Sequence, residues 1–436
     1  MKKIFTFAAV AAVVLSSCAK IETVKVVSEN EAINFGVYVP NSLTKAGSDN
    51  VLTNTELRST GFGVFAAYSP NGPYDSSSSK MDFMWNQPVE YSASAWSYSP
   101  VKYWPNQTGT DAVSTPVDVL SFFAYAPFVD PANNGTFSPA ETGGITGITA
   151  NTKEGDPKVS YVCDPAHPVD LCWGVVETDG NWATAANGSP NTVVAGKPYL
   201  NLVKPQGTPK VKFLFKHALA KLVVDVKTLE AGAGTSNIGV DNGTTGKADG
   251  TRIFIKSLTI NGTDIYNSGT LNLNNTTENT PLWEVANDAT AGTEFVVDIT
   301  SNTKLYNNTD PSTVTWDEDG WVSATKPGVT STAVELYSGM AIPAVVKNST
   351  SSSAALTSVN IVYDVITKDD RLEKGLSVIE NNITKTISTT GFDALQAGYV
   401  YTLHLQLGMK TVDVDADITG WDESTYETDV DLPLNN

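Results

Sequence analysis

Cysteine and histidine are scarce in this chain, with three of each among 436 residues. His167, His217 and His404 each stand alone among strand-like or loop-like residues, and no HExxH, GxSxG, Walker-type loop or GxGxxG after a strand occurs. The nucleophile–base pairs and closely spaced ligand sets that hydrolases and metalloenzymes need are therefore not legible, and the expectation is a protein that is not an enzyme and takes no cofactor. His217, in "FLFKHALAKL", reads most simply as a core or edge histidine. Basic charge is also in short supply, at 28 Lys and Arg against 47 Asp and Glu. Such a polyanion does not bind nucleic acid by neutralising phosphates. After the first fifteen residues no apolar run approaches the roughly 20 residues of a membrane-spanning helix.

Those first residues are the exception. "MKKIFTFAAVAAVVLSSCAK" sets Lys2 and Lys3 before an apolar run from Ile4 to Leu15, then small residues and Cys18. The run is too short to span a bilayer and reads as a signal peptide over 1–17. Leu15-Ser16-Ser17-Cys18 resembles the lipobox of bacterial lipoproteins, which implies cleavage before Cys18 and acylation of its thiol, for example by palmitate. The leader holds two of the basic residues and none of the acidic ones, so the remainder carries 26 against 47, a net charge of −21.

The other two cysteines lie in "YVCDPAHPVDLCWG". In an exported chain a nearby pair such as Cys163 and Cys172 is expected as a disulfide, with two thiols the next reading and a metal site with His167 the last.

The rest of the chain is rich in Thr, Val, Asn, Ser and Gly and reads as many short strands. "INFGVYV", "GFGVFAAY", "VLSFFAYAP", "VKFLFKHALAKLVVDVK", "RIFIKSLTI", "VNIVYDVIT" and "YVYTLHLQLG" are dominated by β-branched and aromatic residues, with Gly, Pro and Asn-Gly between them. Asn261-Gly262 is expected to turn a hairpin. The fold class is all-β, built of β-sandwiches. Pro205, Gly207 and Pro209 suggest a boundary near 207, dividing an N-terminal domain over 59–207 from a C-terminal one over 208–424.

Two groups invite a chemical reading. Asp413, Asp415 and Asp417 alternate in "VDVDADIT", where a calcium site competes with a solvated or guarded sheet edge; the latter is preferred. The acidic run Asp317-Glu318-Asp319-Gly320 reads as a turn. Trp96, Tyr98, Tyr103 and Trp104 crowd "WSYSPVKYWP"; exposed they would stack on sugars, buried they are core, and core is preferred.

The lipobox, then "INFGVYV", "TKAGSDN", "GFGVFAAY", "WSYSPVKYWP", "VLSFFAYAP" and "VKFLFKHALAKLVVDV", and finally "LQAGYVYTLHLQLG" and "ITGW", occur in an order that resembles the fimbrillin-like proteins of Bacteroidales, the subunits of type V pili. The resemblance implies two transthyretin-like β-sandwich domains in tandem after a lipoprotein signal peptide. It also implies a lipid anchor in the outer membrane through Cys18, processing by a trypsin-like protease, and assembly with other pilus subunits into a surface fimbrium that touches a host or bacterial ligand. Processing would remove the first strand, and a neighbour's strand would fill the groove.

The residues fit that scheme in outline. Ile33, Phe35, Val37 and Val39 share one face of a strand over 33–39, within a lipidated segment over 18–58. A polar stretch follows with two basic candidates for cleavage, Lys45 and Arg58, of which Lys45 is preferred. At the other end, 425–436 reads as a donor strand, with Tyr426, Thr428, Val430, Leu432 and Leu434 on one face. Burying Tyr426, Val430, Leu432 and Leu434 is worth roughly 6–12 kcal/mol gross, before ordering costs. Pro433 donates no ladder hydrogen bond and so belongs at the strand's end or at an unpaired position. The rival reading is a glycan-binding surface lipoprotein that uses the "WSYSPVKYWP" rings, or Trp316 and Trp321, as a platform.

Overall fold

The computed structural model describes residues 31–436 apart from 41–51, 71, 106–117, 131–143, 164–168, 229–250, 301–304, 306–315, 318–319, 322–327, 331, 370, 374, 388–390, 409–411, 421–425 and 429–436. The leader, Cys18, Lys45, His167, Val430, Leu432 and Leu434 lie outside the described residues. Val39, Trp316, Trp321, Tyr426 and Thr428 are described by backbone alone.

Among the described residues the chain forms 27 strands and one short helix. Strands β1 (Asn34–Pro40), β2 (Phe62–Ser69), β3 (Met84–Ser92), β4 (Ala95–Ser97) and β5 (Val119–Ala126) belong to one large sheet. β6 (Ile145–Ile148) and β7 (Lys158–Val162) start a second sheet, and β8 (Cys172–Val175) returns to the first. β9 (Gly180–Thr184) and β10 (Pro190–Val193) pair with each other, while β11 (Tyr199–Leu202) and β12 (Lys210–His217) rejoin the first sheet. β13 (Ala220–Thr228) and β14 (Thr251–Ile265) then open another sandwich, but β15 (Ser268–Asn272) and β16 (Leu282–Glu284) go back to the sheet of β6 and β7.

β17 (Gly292–Val297) pairs with β14, and the two-residue strands β18 (Trp316–Asp317) and β19 (Gly320–Trp321) pair together. Within that pair Asp317 lies opposite Gly320, and 318–319 of the acidic run fall outside the described residues. β20 (Val334–Ala341) joins β13, after which β21 (Ala344–Lys347) and β22 (Thr350–Ser353) extend the sheet of β15 and β16. β23 (Ala355–Lys368), β24 (Leu376–Thr386), β25 (Tyr399–Leu407) and β26 (Val412–Gly420) finish the other sandwich, and β27 (Tyr426–Thr428) ends beside β1.

Two sandwiches result. In the first, the nine-stranded sheet ordered β27-β1-β12-β8-β5-β2-β3-β4, with β11 on β5, faces the six-stranded sheet β22-β21-β16-β15-β7-β6. Phe65, Phe123, Tyr125, Trp173 and Leu214 from the one meet Tyr161, Leu271, Trp283 and Val345 from the other. In the second, β20-β13-β25-β26 faces β17-β14-β23-β24 over Leu222, Val224, Ile253, Ile260, Val359, Tyr363, Leu403 and Leu405. The chain has the all-β fold that its strand pattern suggests.

The strands are not shared out along the chain as the boundary near 207 implies. β12 lies beyond that point yet sits inside the first sheet, and β15, β16, β21 and β22 complete the first sandwich from the second half. The Pro- and Gly-rich stretch at 203–210 is a loop between two strands of one sheet, and the passage between sandwiches falls at Ala218–Leu219, both fully buried.

The central strands of the nine-stranded sheet, β2, β5 and β8, are buried on both faces. All eight positions of β5, "VLSFFAYA", are buried, which is why its sequence runs apolar rather than alternating. The sheet's second face carries Val64, Leu120, Phe122, Ala124, Phe213 and Phe215, covered by Leu57, Trp104 and Val193. Leu57 belongs to helix α1 (Asn54–Thr60), which begins with a capping box: Thr53 Oγ1 accepts from Glu56 N, and Glu56 Oε2 accepts from Thr53 N. Gly61 closes it at φ 69°, where a Cβ would lie 2.6 Å from the Val89 carbonyl oxygen.

Asn261-Gly262 does not turn the chain. β14 runs straight through it, with the register against β23 shifting between Asn261 and Gly262. A Cβ on Gly262 would lie 2.1 Å from the Ala355 carbonyl oxygen, so the glycine serves the close approach of a bulged strand.

Candidate functional site

The first strand is held from both sides. β1 pairs parallel with β12 from Asn34↔Lys210 to Tyr38↔Leu214. On its other edge it pairs antiparallel with β27, Tyr38 facing Thr428, Val39 facing Glu427 and Pro40 facing Tyr426. The C-terminal stretch read as a donor strand for another subunit therefore lies, over Tyr426–Thr428, on the chain's own first strand.

Alternation aims Ile33, Phe35 and Val37 at the outer aromatic core, where they are 0, 3 and 3% exposed. Phe35 sits 5.2 Å from the Tyr98 ring, 5.9 Å from Phe122 and 6.2 Å from Phe213, measured between centroids. Burial of these three side chains is worth roughly 5–9 kcal/mol gross. Tyr38 points the other way, half-buried against the inner core, with Lys212 Nζ 5.4 Å from its ring centroid. Gly36 packs closely beside that lysine stem, since a Cβ there would lie 3.1 Å from Lys212 Cγ and the stem would have to shift by a few tenths of an ångström.

The segment before β1 is bonded as well. Ile33 N donates to Lys102 O at 2.9 Å, Trp104 N donates to Glu31 O at 3.0 Å, and the Tyr98 hydroxyl donates to Ile33 O at 2.8 Å. Burial raises the pKa of that hydroxyl, so it stays a donor. "WSYSPVKYWP" is thus part of the wall around the first strand. Trp104 is buried, Trp96 and Tyr98 pack on the same core, and Tyr103 is half exposed. Three of the four rings face inward and do not form a sugar-stacking platform.

Of the two cleavage candidates, Arg58 is described. It lies in the last turn of α1, with its guanidinium 4.8 Å from the Tyr91 ring centroid. Leu52, the residue that follows 41–51, is tied down by its backbone N–H, which donates to Asp170 Oδ2 at 3.0 Å.

That aspartate belongs to a group the sequence did not reveal. Asp170 precedes β8, Cys172 begins it, and His217 lies opposite Cys172 at the end of β12. The residues are 1, 2 and 4% exposed. His217 Nδ1 is 2.5 Å from Asp170 Oδ2, and Cys172 Sγ is 3.6 Å from Nδ1 and 3.7 Å from Oδ2. Asp170 and His217 are 47 positions apart, and only the β8–β12 register brings them together. The periodicity signal that would have helped was two residues of one strand face, Asp170 and Cys172, with a histidine in the neighbouring strand.

The expected disulfide is not formed, and both cysteines remain thiols. Cys172 faces the outer aromatic core, whereas Cys163 packs on the core between the two sheets. Cys163 follows β7 of the six-stranded sheet and Cys172 lies in β8 of the nine-stranded one, so the two side chains sit in different cores. Burial pushes the Cys163 thiol up to about 12.

Asp413, Asp415 and Asp417 all project from the exposed face of β26, the edge of its sheet, as the guarded-edge reading has it. His404 stands beside them on β25, with Nδ1 2.7 Å from Asp225 and Nε2 3.2 Å from Asp417. Among the described residues no helix is long and apolar enough to cross a membrane.

No protein-family model matches the sequence, and no curated relative does. Solved structures do. A fimbrial protein from Bacteroides vulgatus aligns over 90% of this chain and 100% of its own, with a TM-score of 0.51 and 18% identity. This chain has the fold of that fimbrial protein. A candidate cell adhesion protein from Bacteroides uniformis covers 90% of this chain and 99% of its own at a TM-score of 0.41 and 14% identity. A fimbrial assembly protein from Parabacteroides distasonis covers 89% and 98% at 0.30 and 10%. At 18% identity the first likeness speaks to fold, and function has to be argued from the first strand.

Proposed function

We propose that this chain is a non-enzymatic subunit of a cell-surface fimbria. In this reading it is exported as a lipoprotein anchored through Cys18 in the outer membrane and polymerises by strand exchange. A trypsin-like protease cuts after Lys45, β1 leaves, and the stretch 425–436 of another subunit takes its place against β12.

The observation that carries the reading is the position of β1. It is an apolar strand near the edge of a sheet, covered on its outer edge among the described residues by the three-residue β27, and the segment 41–51 with Lys45 follows it directly. Its loss uncovers Phe122, Phe213 and the unpaired backbone edge of β12, a combination that is costly in water and favours capture of a replacement strand. The tail has the alternation such a replacement needs, and the fold shared with a fimbrial protein is in keeping with it. The inward rings of "WSYSPVKYWP" support the fimbrial reading over the glycan-binding one.

The test treats purified protein, starting at residue 18, with a trypsin-like protease and follows mass and assembly state. The expected result is cleavage after Lys45, loss of the peptide carrying β1 and formation of oligomers. A chain lacking 425–436 should be cleaved yet stay monomeric. Clean processing that yields monomers from the intact tail overturns the proposal.

A further inference from the structure

We propose that Asp170, Cys172 and His217 form a binding site for one borderline-soft divalent cation, with zinc the best match. The inference stands apart from the fimbrial reading and rests on three observations.

The first is the donor set. A carboxylate, a thiol and an imidazole converge, with one ligand atom from each within 4.8 Å of the others, and all three residues are at least nine-tenths buried. Their backbones are fixed by the β8–β12 ladder, in which Cys172 directly opposes His217 and Asp170 is two residues before Cys172. Mixed sulfur, nitrogen and oxygen donors suit zinc and exclude magnesium or calcium, which take oxygen alone.

The second is the spacing. Zinc bonds of about 2.0–2.3 Å at tetrahedral angles put ligand atoms roughly 3.3–3.8 Å apart. Cys172 Sγ lies 3.6 Å from His217 Nδ1 and 3.7 Å from Asp170 Oδ2, so two edges of that figure are already in place. The third edge, Nδ1 to Oδ2, is 2.5 Å and is closed by a hydrogen bond where the ion would sit. As the ion enters, Nδ1 and the thiol give up their protons and this edge opens to roughly 3.3 Å. A small fourth ligand such as water completes the tetrahedron.

The third is an oxygen without a role. Asp170 Oδ1 is buried and has no hydrogen-bond partner among the described residues. A pure Asp–His hydrogen bond leaves that cost unexplained, whereas a cation bound to Oδ2 would offset the carboxylate charge that Oδ1 shares. The Leu52 N–H on Oδ2 acts from outside as an orienting bond of the kind metal-bound carboxylates receive. A bound ion would therefore also fasten the chain at Leu52.

The test uses the purified chain from residue 18, stripped with chelator. Cobalt(II) should bind at one equivalent and give thiolate-to-cobalt charge-transfer absorption, and zinc should displace it and raise the melting temperature. Cys172→Ser and His217→Ala should lose the band and the shift, while Cys163→Ser keeps both. Should those two variants fail to fold, X-ray absorption at the zinc edge of the wild-type protein decides the matter. One sulfur at about 2.3 Å with nitrogen and oxygen at about 2.0 Å supports the site. No thiolate band and no thermal shift in the wild type, or a first shell without sulfur, overturns it.

Discussion

Phe35 of the first strand stacks on Phe213 of β12, with ring centroids 6.2 Å apart and planes inclined by 20°. The same ring also meets Tyr98 and Phe122, so one side chain joins three separate stretches of the outer core. Truncating it opens a cavity that the surrounding rings refill poorly. Phe35→Ala is expected to cost about 3–5 kcal/mol. The exposed control Ser97→Ala should stay within about 0.5 kcal/mol. Denaturant unfolding of the intact chain, with an unchanged slope, measures both.

Cleavage preference follows from local structure. A protease takes an extended segment into its cleft, and Arg58 lies in a capped helix whose neighbour Leu57 is fully buried. Reaching Arg58 requires opening α1. Lys45→Ala should therefore slow limited digestion by a trypsin-like protease at least tenfold, while Arg58→Ala leaves the rate unchanged. Thr53→Ala removes the cap at a cost of about 1 kcal/mol and should make Arg58 a measurable second site. Mass spectrometry of the early fragments distinguishes these outcomes, and early cutting at Arg58 in the wild type contradicts the argument.

The tail and the first strand are linked by three residue pairs. In the uncut chain the amides of that pairing should exchange slowly with deuterium. After processing, with β1 gone, Glu427 and Thr428 lose the strand opposite them, and their exchange should speed up by at least an order of magnitude unless a second subunit takes them. Peptide-level hydrogen exchange before and after cleavage reads this directly. Unchanged protection in a monomeric product means that the tail is held by something other than β1.

How far the residues alone foretold this follows from what each signal encodes. "INFGVYV" announced β1 because half-buried strands alternate, and Ile33, Phe35 and Val37 do lie on one buried face. "VLSFFAYA" announced a strand without saying why it was apolar throughout; the reason is a sheet covered on both faces. Asn261-Gly262 misled, since glycine serves a close backbone approach as well as a turn, and Ala355 supplies that approach. Cys163 and Cys172 looked like partners from nine residues of separation, but Cys163 follows β7 of the six-stranded sheet and faces the core between the sheets, whereas Cys172 lies in the nine-stranded sheet and faces the outer core. The Asp170–Cys172–His217 group was not legible as a unit, although the i, i+2 spacing of Asp170 and Cys172 was there to see. It depends on the pairing of β8 with β12, which no local pattern specifies. The return of β15, β16, β21 and β22 to the first sandwich is non-local in the same way.

Asp364 gives the chain a pH dependence with a definite sign. It lies in β23, 1% exposed, with Lys256 Nζ 3.9 Å from Oδ1 and no hydrogen-bond partner for Oδ2 among the described residues. Burial raises its pKa above the ordinary 3.8, Lys256 opposes the shift, and Glu380 adds to it. The folded state thus holds this proton more tightly than the unfolded state. Its contribution is most favourable below the unfolded value and is lost as pH rises through the folded one. Asp364→Asn removes the titration and keeps the shape. The variant should match the wild type in acid and become progressively more stable than it as pH rises from about 4 toward 7. Urea unfolding across that range measures the difference. A gap between the two proteins that stays constant with pH rules out Asp364 as its source, whereas Glu380→Gln, which removes a like charge beside Asp364, should shrink the gap without abolishing it.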